Sequence, residues 1–161
     1  MKTPRLLAAV TAAAALALTG CGRADTAAVV DGHVITESGV LAAAEQVTEY
    51  ASQPMATGDV VNRLVVLPGV LEVLEERGVT ISDAAARSAV GSIDRPTPYL
   101  IDLARLDLAI GQLTQEDMAE VTSRLQDADV EINPRYGTFV PEQAAVVATS
   151  PDWIADSAGD R

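Results

Sequence analysis

The chain has 161 residues, with 48% hydrophobic side chains, 3% aromatics and a formal net charge of −12 at pH 7. That length holds one domain with a short extension, and with so few aromatics the core must be built from Leu, Val, Ile and Ala. So acidic a surface disfavours nucleic acid and offers no polybasic patch to anionic headgroups, so neither is expected as a partner of the protein face.

Residues 1–20 read as an export signal. Lys2 and Arg5 are followed by an apolar run over residues 6–18, too short to span a bilayer, which takes about 20 residues. Leu18-Thr19-Gly20-Cys21 comes next and resembles the lipobox of bacterial lipoproteins. The resemblance implies cleavage between Gly20 and Cys21 and a lipid on the Cys21 thiol. The plainer alternative is an ordinary secreted protein with an incidental cysteine. A single acyl chain binds a membrane only marginally, whereas two on one residue anchor it. The expected location is therefore the extracytoplasmic face of the cell membrane, with membrane lipid as partner through acylated Cys21. Cys21 is the only cysteine, so no internal disulfide is expected. Removing residues 1–20 takes away two basic residues and no acid, leaving a side-chain charge of −14. Residues 21–26 form a short polar tether, residues 27–139 the domain, and residues 140–161 a loose tail, since no sustained period follows Phe139.

Residues 27–30 read as a strand, and Asp31-Gly32 as a tight turn with positive φ. Thr36 caps a helix running to about Ala51, with Val40, Leu41, Ala44, Val47 and Ala51 at helical spacing. From Asp59 to Arg77 a long apolar stretch is interrupted by Pro68-Gly69, predicting a kinked helix or two short ones. Gly78 ends it, and Ser82 caps a short helix over residues 84–90. Pro98 opens a helix reaching to about Leu113 that is apolar around most of its circumference, the central core helix of this reading. Thr114 with Asp117 forms a capping box for a helix to about Gln126, with Met118, Val121 and Leu125 inward. Val130-Glu131-Ile132 alternates as a strand, and Asn133-Pro134 stops it.

Few residues suggest catalysis. The one histidine, His33, sits beside the turn and reads as a surface residue. No nucleophile elbow, phosphate loop or His/Cys metal spacing occurs. Asp127-x-Asp129-x-Glu131 begins like a calcium loop, but Ile132 stands where the sharp turn needs Gly and Thr138 where the last ligand needs Glu. These carboxylates, like Glu75-Glu76, read as solvated charge. No cofactor, no metal and no enzymatic activity are expected. Arg135-Tyr136 is the pair to weigh as a polypeptide-binding patch, because both residue types are enriched at interface hot spots. The structural alternative has Tyr136 packing on the helices and Arg135 satisfying nearby acids or carbonyls.

Three stretches together resemble the N-terminal domain of SurA-like periplasmic chaperones, also seen in PrsA-type foldases. Ala28-Val29-Val30-Asp31-Gly32 with Ile35-Thr36-Glu37 is similar to the family start A-x-V-N-G-x-x-I-T. Glu75, Arg77-Gly78-Val79 and Ser82 fall like E-x-x-x-x-x-G-I-x-V-S. Asp129 to Gly137 is similar to the V-x-V-N-P-R-Y-G end of small lipoproteins built from this domain. The resemblance covers residues 27–139. It implies a mainly α fold, an orthogonal helical bundle with a small two-stranded sheet pairing Val29-Val30 with residues 130–132. Members often insert a parvulin prolyl isomerase domain; here Leu113 runs straight into Thr114, so isomerase activity is not carried over. The implied function is binding of unfolded or envelope polypeptide clients in an apolar groove between helices. The alternative is a structural adaptor docking one dedicated envelope protein.

Overall fold

A computed structural model describes residues 24–51 and 54–149. The fold is mainly α, with five helices and a small antiparallel sheet. Strand β1 (Thr26–Val30) turns at Asp31 and Gly32, whose φ values of 48° and 81° are the two positive angles a type I′ hairpin needs. Strand β2 (His33–Thr36) returns along it, pairing Val29 with Val34 and Val30 with His33. On its other edge β1 pairs antiparallel with β3 (Val130–Ile132), in the register Ala28 to Ile132 and Val30 to Val130.

The expected clasp between the two ends of the domain is thus present, but the sheet has three strands, ordered β2-β1-β3, not two. The sequence reading assigns no strand between Gly32 and Thr36, where β2 lies. The I′ turn reverses the chain onto β1 before that helix starts. Two side chains lock the clasp. Asn133 donates from Nδ2 to the Thr26 carbonyl at 3.0 Å and from its backbone to Ala27 at 2.9 Å. At the far end Asp31 and Asp129 exchange hydrogen bonds, the Asp31 N–H to the Asp129 carbonyl and the Asp129 N–H to Asp31 Oδ1, both 2.9 Å.

Helix α1 (Glu37–Ala51) starts at Thr36, whose Oγ1 accepts from the Gly39 N–H at 3.3 Å. Val40, Ala43, Ala44 and Val47 are buried, whereas Leu41, expected inward, is exposed. Helix α2 (Thr57–Glu76) is a single element with Pro68 inside it. A proline in a helix interior costs about 3 kcal/mol. Buried Val60, Val61, Leu64, Val65 and Leu67 precede it and Val70, Val73 and Leu74 follow it. Each fully buried aliphatic contributes about 1.5–3 kcal/mol, so packing on both sides outweighs the break.

Helix α3 (Asp83–Ala89) is capped by Ser82, which accepts from the Ala85 N–H at 3.2 Å. Helix α4 (Pro98–Ile110) is capped by Thr97 and packs along α2. It ends before Leu113, and its flank at Leu108 and Ile110 is exposed, so this helix is not buried all round. Helix α5 (Gln115–Asp127) has the capping box of Thr114 and Asp117. Val121 and Leu125 face inward, but Met118 is exposed. Leu125 packs over Gly69 of α2, its Cγ 3.7 Å from where a Cβ would stand, so α5 crosses α2 closely there.

The core has two parts. One lies between the sheet, α1, the first half of α2 and the start of α4; the other joins the second half of α2, the end of α4 and α5. Phe139 touches both. It belongs to a second hairpin, β4 (Thr138–Val140) with β5 (Ala145–Val147), joined by a 3-10 turn at Pro141–Gln143. The Val146 N–H donates to Asn62 Oδ1 of α2 at 2.8 Å. The expected loose tail from residue 140 is therefore corrected: the fold continues through Val147. The expected tether is corrected as well, because Asp25 and Thr26 already belong to the fold. Asp25 accepts from the Ser38 N–H at 2.8 Å and from Ser38 Oγ at 2.7 Å, and these bonds hold its carboxyl below the usual range.

Candidate functional site

An apolar depression lies between α1, α2, α3 and α4. Its floor is the α4 stripe Leu100, Leu103, Ala104 and Leu108, which helical spacing places on one face. Val47 of α1, Met55 before α2, and Ala89 with Val90 at the end of α3 make the walls. The cavity is about 330 Å³. At the rim Arg63 of α2 pairs with Asp107 of α4 at 2.6 Å.

Beside the groove, Gln46 ties α1 to the segment that leads into α4. Its Nε2 donates to the Arg95 carbonyl at 2.9 Å and its Oε1 accepts from the Thr97 N–H at 2.7 Å. One side chain thereby bridges α1 to the residues that start α4. Tyr99 adds a second tie, its hydroxyl accepting from the Thr36 N–H at 3.0 Å. Periodicity identified the α4 residues as apolar but could not say which face α1, α2 and α3 leave uncovered. Met55, in the loop before α2, carried no periodic signal at all.

A wider, shallower concavity of about 640 Å³ lies on the outer face of the three-stranded sheet, lined by Val29, Val34, Ile132 and Pro134 with Asp129 and Glu131. Val34 is 54% exposed there. The carboxylates and the openness of this face make it a poorer apolar receptor than the helical groove.

Arg135 and Tyr136 do not form a surface patch. Tyr136 is buried in the first core region, and burial pushes its hydroxyl pKa up. Arg135 pairs with Glu37 at the start of α1. The turn Asn133–Gly137 fixes this arrangement, with Tyr136 N–H donating to the Asn133 carbonyl at 2.9 Å. The surface placement expected for Tyr136 is therefore corrected to a buried one at the end of the sheet, while the Arg135 side chain beside Glu37 stays 58% exposed. Gly20 and Cys21 lie outside the described residues. His33 is exposed on β2. Asp129 is engaged with the Asp31 turn, and no group of three or more His, Cys, Asp or Glu among the described residues could hold a metal ion. No helix among them is long and apolar enough to cross a membrane.

A polar cluster lies at the α2–α5 end. Asp117, buried, accepts from the Thr114 N–H at 2.6 Å and from Thr114 Oγ1 at 2.7 Å, and pairs with Arg77. The backbone bond from Thr114 leads in holding this carboxyl below its usual range, the hydroxyl and Arg77 assist, and burial opposes. With the folded pKa below the unfolded one, the stabilisation is full above the unfolded value and is lost as pH falls through the folded value. Asp117→Asn should therefore be less stable than the parent at neutral pH and lose less on acidification. Urea midpoints compared between about pH 5 and pH 2 check this, and parallel curves would refute it.

No family model, no curated protein and no solved structure matches this chain.

Proposed function

We propose that this chain is a membrane-anchored extracytoplasmic lipoprotein whose domain, an orthogonal helical bundle resembling the SurA N-terminal domain, binds polypeptide without catalysis. The observation that carries the reading is the apolar groove between α1 and α4. Protein-binding sites need apolar surface that can be covered, and exposed Leu108 with partly buried Met55 supply it next to buried Leu100 and Leu103. Met is a gap-filling side chain suited to partners of varied shape. The Gln46 bridge ties α1 to the segment that leads into α4 without help from a ligand, which lowers the ordering cost of binding.

The buried residues described all follow Thr26, so a soluble chain starting at residue 22 carries the whole described fold. That chain should suppress aggregation of a chemically denatured client near equimolar ratio. The double variant Met55→Gln with Leu108→Gln changes only residues that are not fully buried and should keep the fold while losing at least fivefold of the suppression. Light scattering reads the effect and circular dichroism checks the fold. No suppression by the parent chain would remove the chaperone-like reading. A single dominant cross-linked protein in intact cells would replace it with the dedicated-adaptor reading.

A further inference from the structure

We propose that the bilayer meets this domain at one surface, the end of the sheet where β1 begins. The start of α1 and the Asn133–Gly137 turn then lie against the headgroups, and the Asp31-Gly32 turn stands farther out. This deepens the lipoprotein reading above and rests on it. The fold takes hold of the chain at Asp25, whose carboxyl accepts from the Ser38 N–H and Oγ and whose carbonyl accepts from the Glu37 N–H at 3.1 Å. Only Gly22, Arg23 and Ala24 separate this junction from Cys21. At about 3.3–3.6 Å per residue, an acylated Cys21 holds Asp25 within about 14 Å. A domain of this length has a radius of gyration of about 14 Å and is roughly 35 Å across. A link shorter than half that width cannot pass round the body, so the end that carries Asp25 faces the lipid.

Four elements meet at that end. β1 starts there, Thr36 at the end of β2 pairs with Thr26, and Asn133 after β3 is bonded to Thr26 and Ala27. Helix α1 begins beside them, with Glu37 paired to Arg135. Pro134 and Arg135 are exposed there. The strands lead away from this end at about 3.3 Å per residue, so His33, level with Val30, stands about 13 Å beyond Thr26. Helix α1 packs back against β1 and β2 and leads away as well. Its rise of about 1.5 Å per residue puts exposed Glu49 about 18 Å from Glu37.

The test uses the full chain in its lipidated form. Cys21 is the only cysteine, so its acylation leaves no thiol to compete with one introduced elsewhere. Pro134→Cys, His33→Cys and Glu49→Cys, all at exposed positions, each carry a bimane label in phosphatidylcholine vesicles with nitroxide on the choline headgroup. Quenching at Pro134 should exceed that at His33 and at Glu49 by about threefold or more, given the spans of about 13 and 18 Å. A spacer of about twenty Gly and Ser residues inserted after Arg23, with an r.m.s. span of about 25 Å, should keep the protein on the vesicles and abolish the difference. Equal quenching at the three sites, with the protein sedimenting with the vesicles, would overturn the orientation and leave the lipoprotein reading standing. Protein that stays in solution with an unmodified Cys21 would overturn both. A difference that survives the spacer would overturn the inference drawn from the short link.

Discussion

Gly137→Ala is expected to lower the unfolding free energy by about 2–5 kcal/mol, combining the cost of a strained backbone with that of overpacking. Gly137 sits at φ 122°, a region L side chains rarely adopt. A Cβ there would also collide with the Val147 carbonyl, with the carbonyl carbon 2.7 Å away. That obstacle is backbone and cannot rotate aside. Relief requires β5 to move, which would break the pairing of Thr138 with Val147 and withdraw Val146 from Asn62. Urea unfolding should show the lower stability, and hydrogen exchange should show lost protection at Val146 first. Gly32→Ala is the control. It too replaces a positive-φ glycine, at 81°, but nothing lies within 4 Å of its Cβ, so only the backbone strain applies. If the two variants are equally stable, the hairpin after residue 137 does not hold the fold together.

Membrane retention should be all or none in the chain's first 21 residues. The native protein should sediment with membranes and resist extraction by high salt, because its mature side-chain charge of −14 gives no electrostatic attachment to lose. Replacing residues 1–21 by an ordinary cleavable export signal should release it entirely to the soluble fraction. A single acyl chain supports only reversible binding of about 10⁴ M⁻¹, so stable retention requires two chains on Cys21. Mass spectrometry of the N-terminal peptide decides the matter: a diacylglyceryl thioether is expected, and an unmodified Cys21 thiol would end the lipoprotein reading.

These two experiments probe opposite ends of what could be read from residues in order. Local signals carried far. Asp31-Gly32 specified a turn because few other pairs tolerate two positive φ angles, and it is found there. Thr36, Ser82 and Thr114 cap helices as read, since a side-chain oxygen next to unpaired N–H groups acts without distant help; Thr97, not singled out in the sequence, caps the helix that Pro98 opens. The pairing of residues 29–30 with 130–132, which the family resemblance implied, is also present.

Signals weakened where several elements had to agree. Pro68 leaves a kinked helix and two short ones equally open when only its own segment is considered; α2 is one helix, packed against α4 and α5. Strands β4 and β5 have three residues each, too few for a period, and are secured by Asn62, some eighty positions earlier. Arg135-Tyr136 is polar enough to suggest a surface patch, yet Tyr136 is buried because β3 delivers the turn onto α1. Leu41 and Met118 sit at apolar positions of their helices with no neighbour opposite, so they stay exposed.

Order along the chain thus determined the helix starts and the first turn, while the clasp between strands near the two ends was implied by the family resemblance. The helix starts and the turn depend on residues close together. Which α4 residues line the candidate groove was decided only by tertiary packing. The residues of an apolar helix are chemically alike all round, and which of them meet a partner depends on where α1, α2 and α3 come to rest.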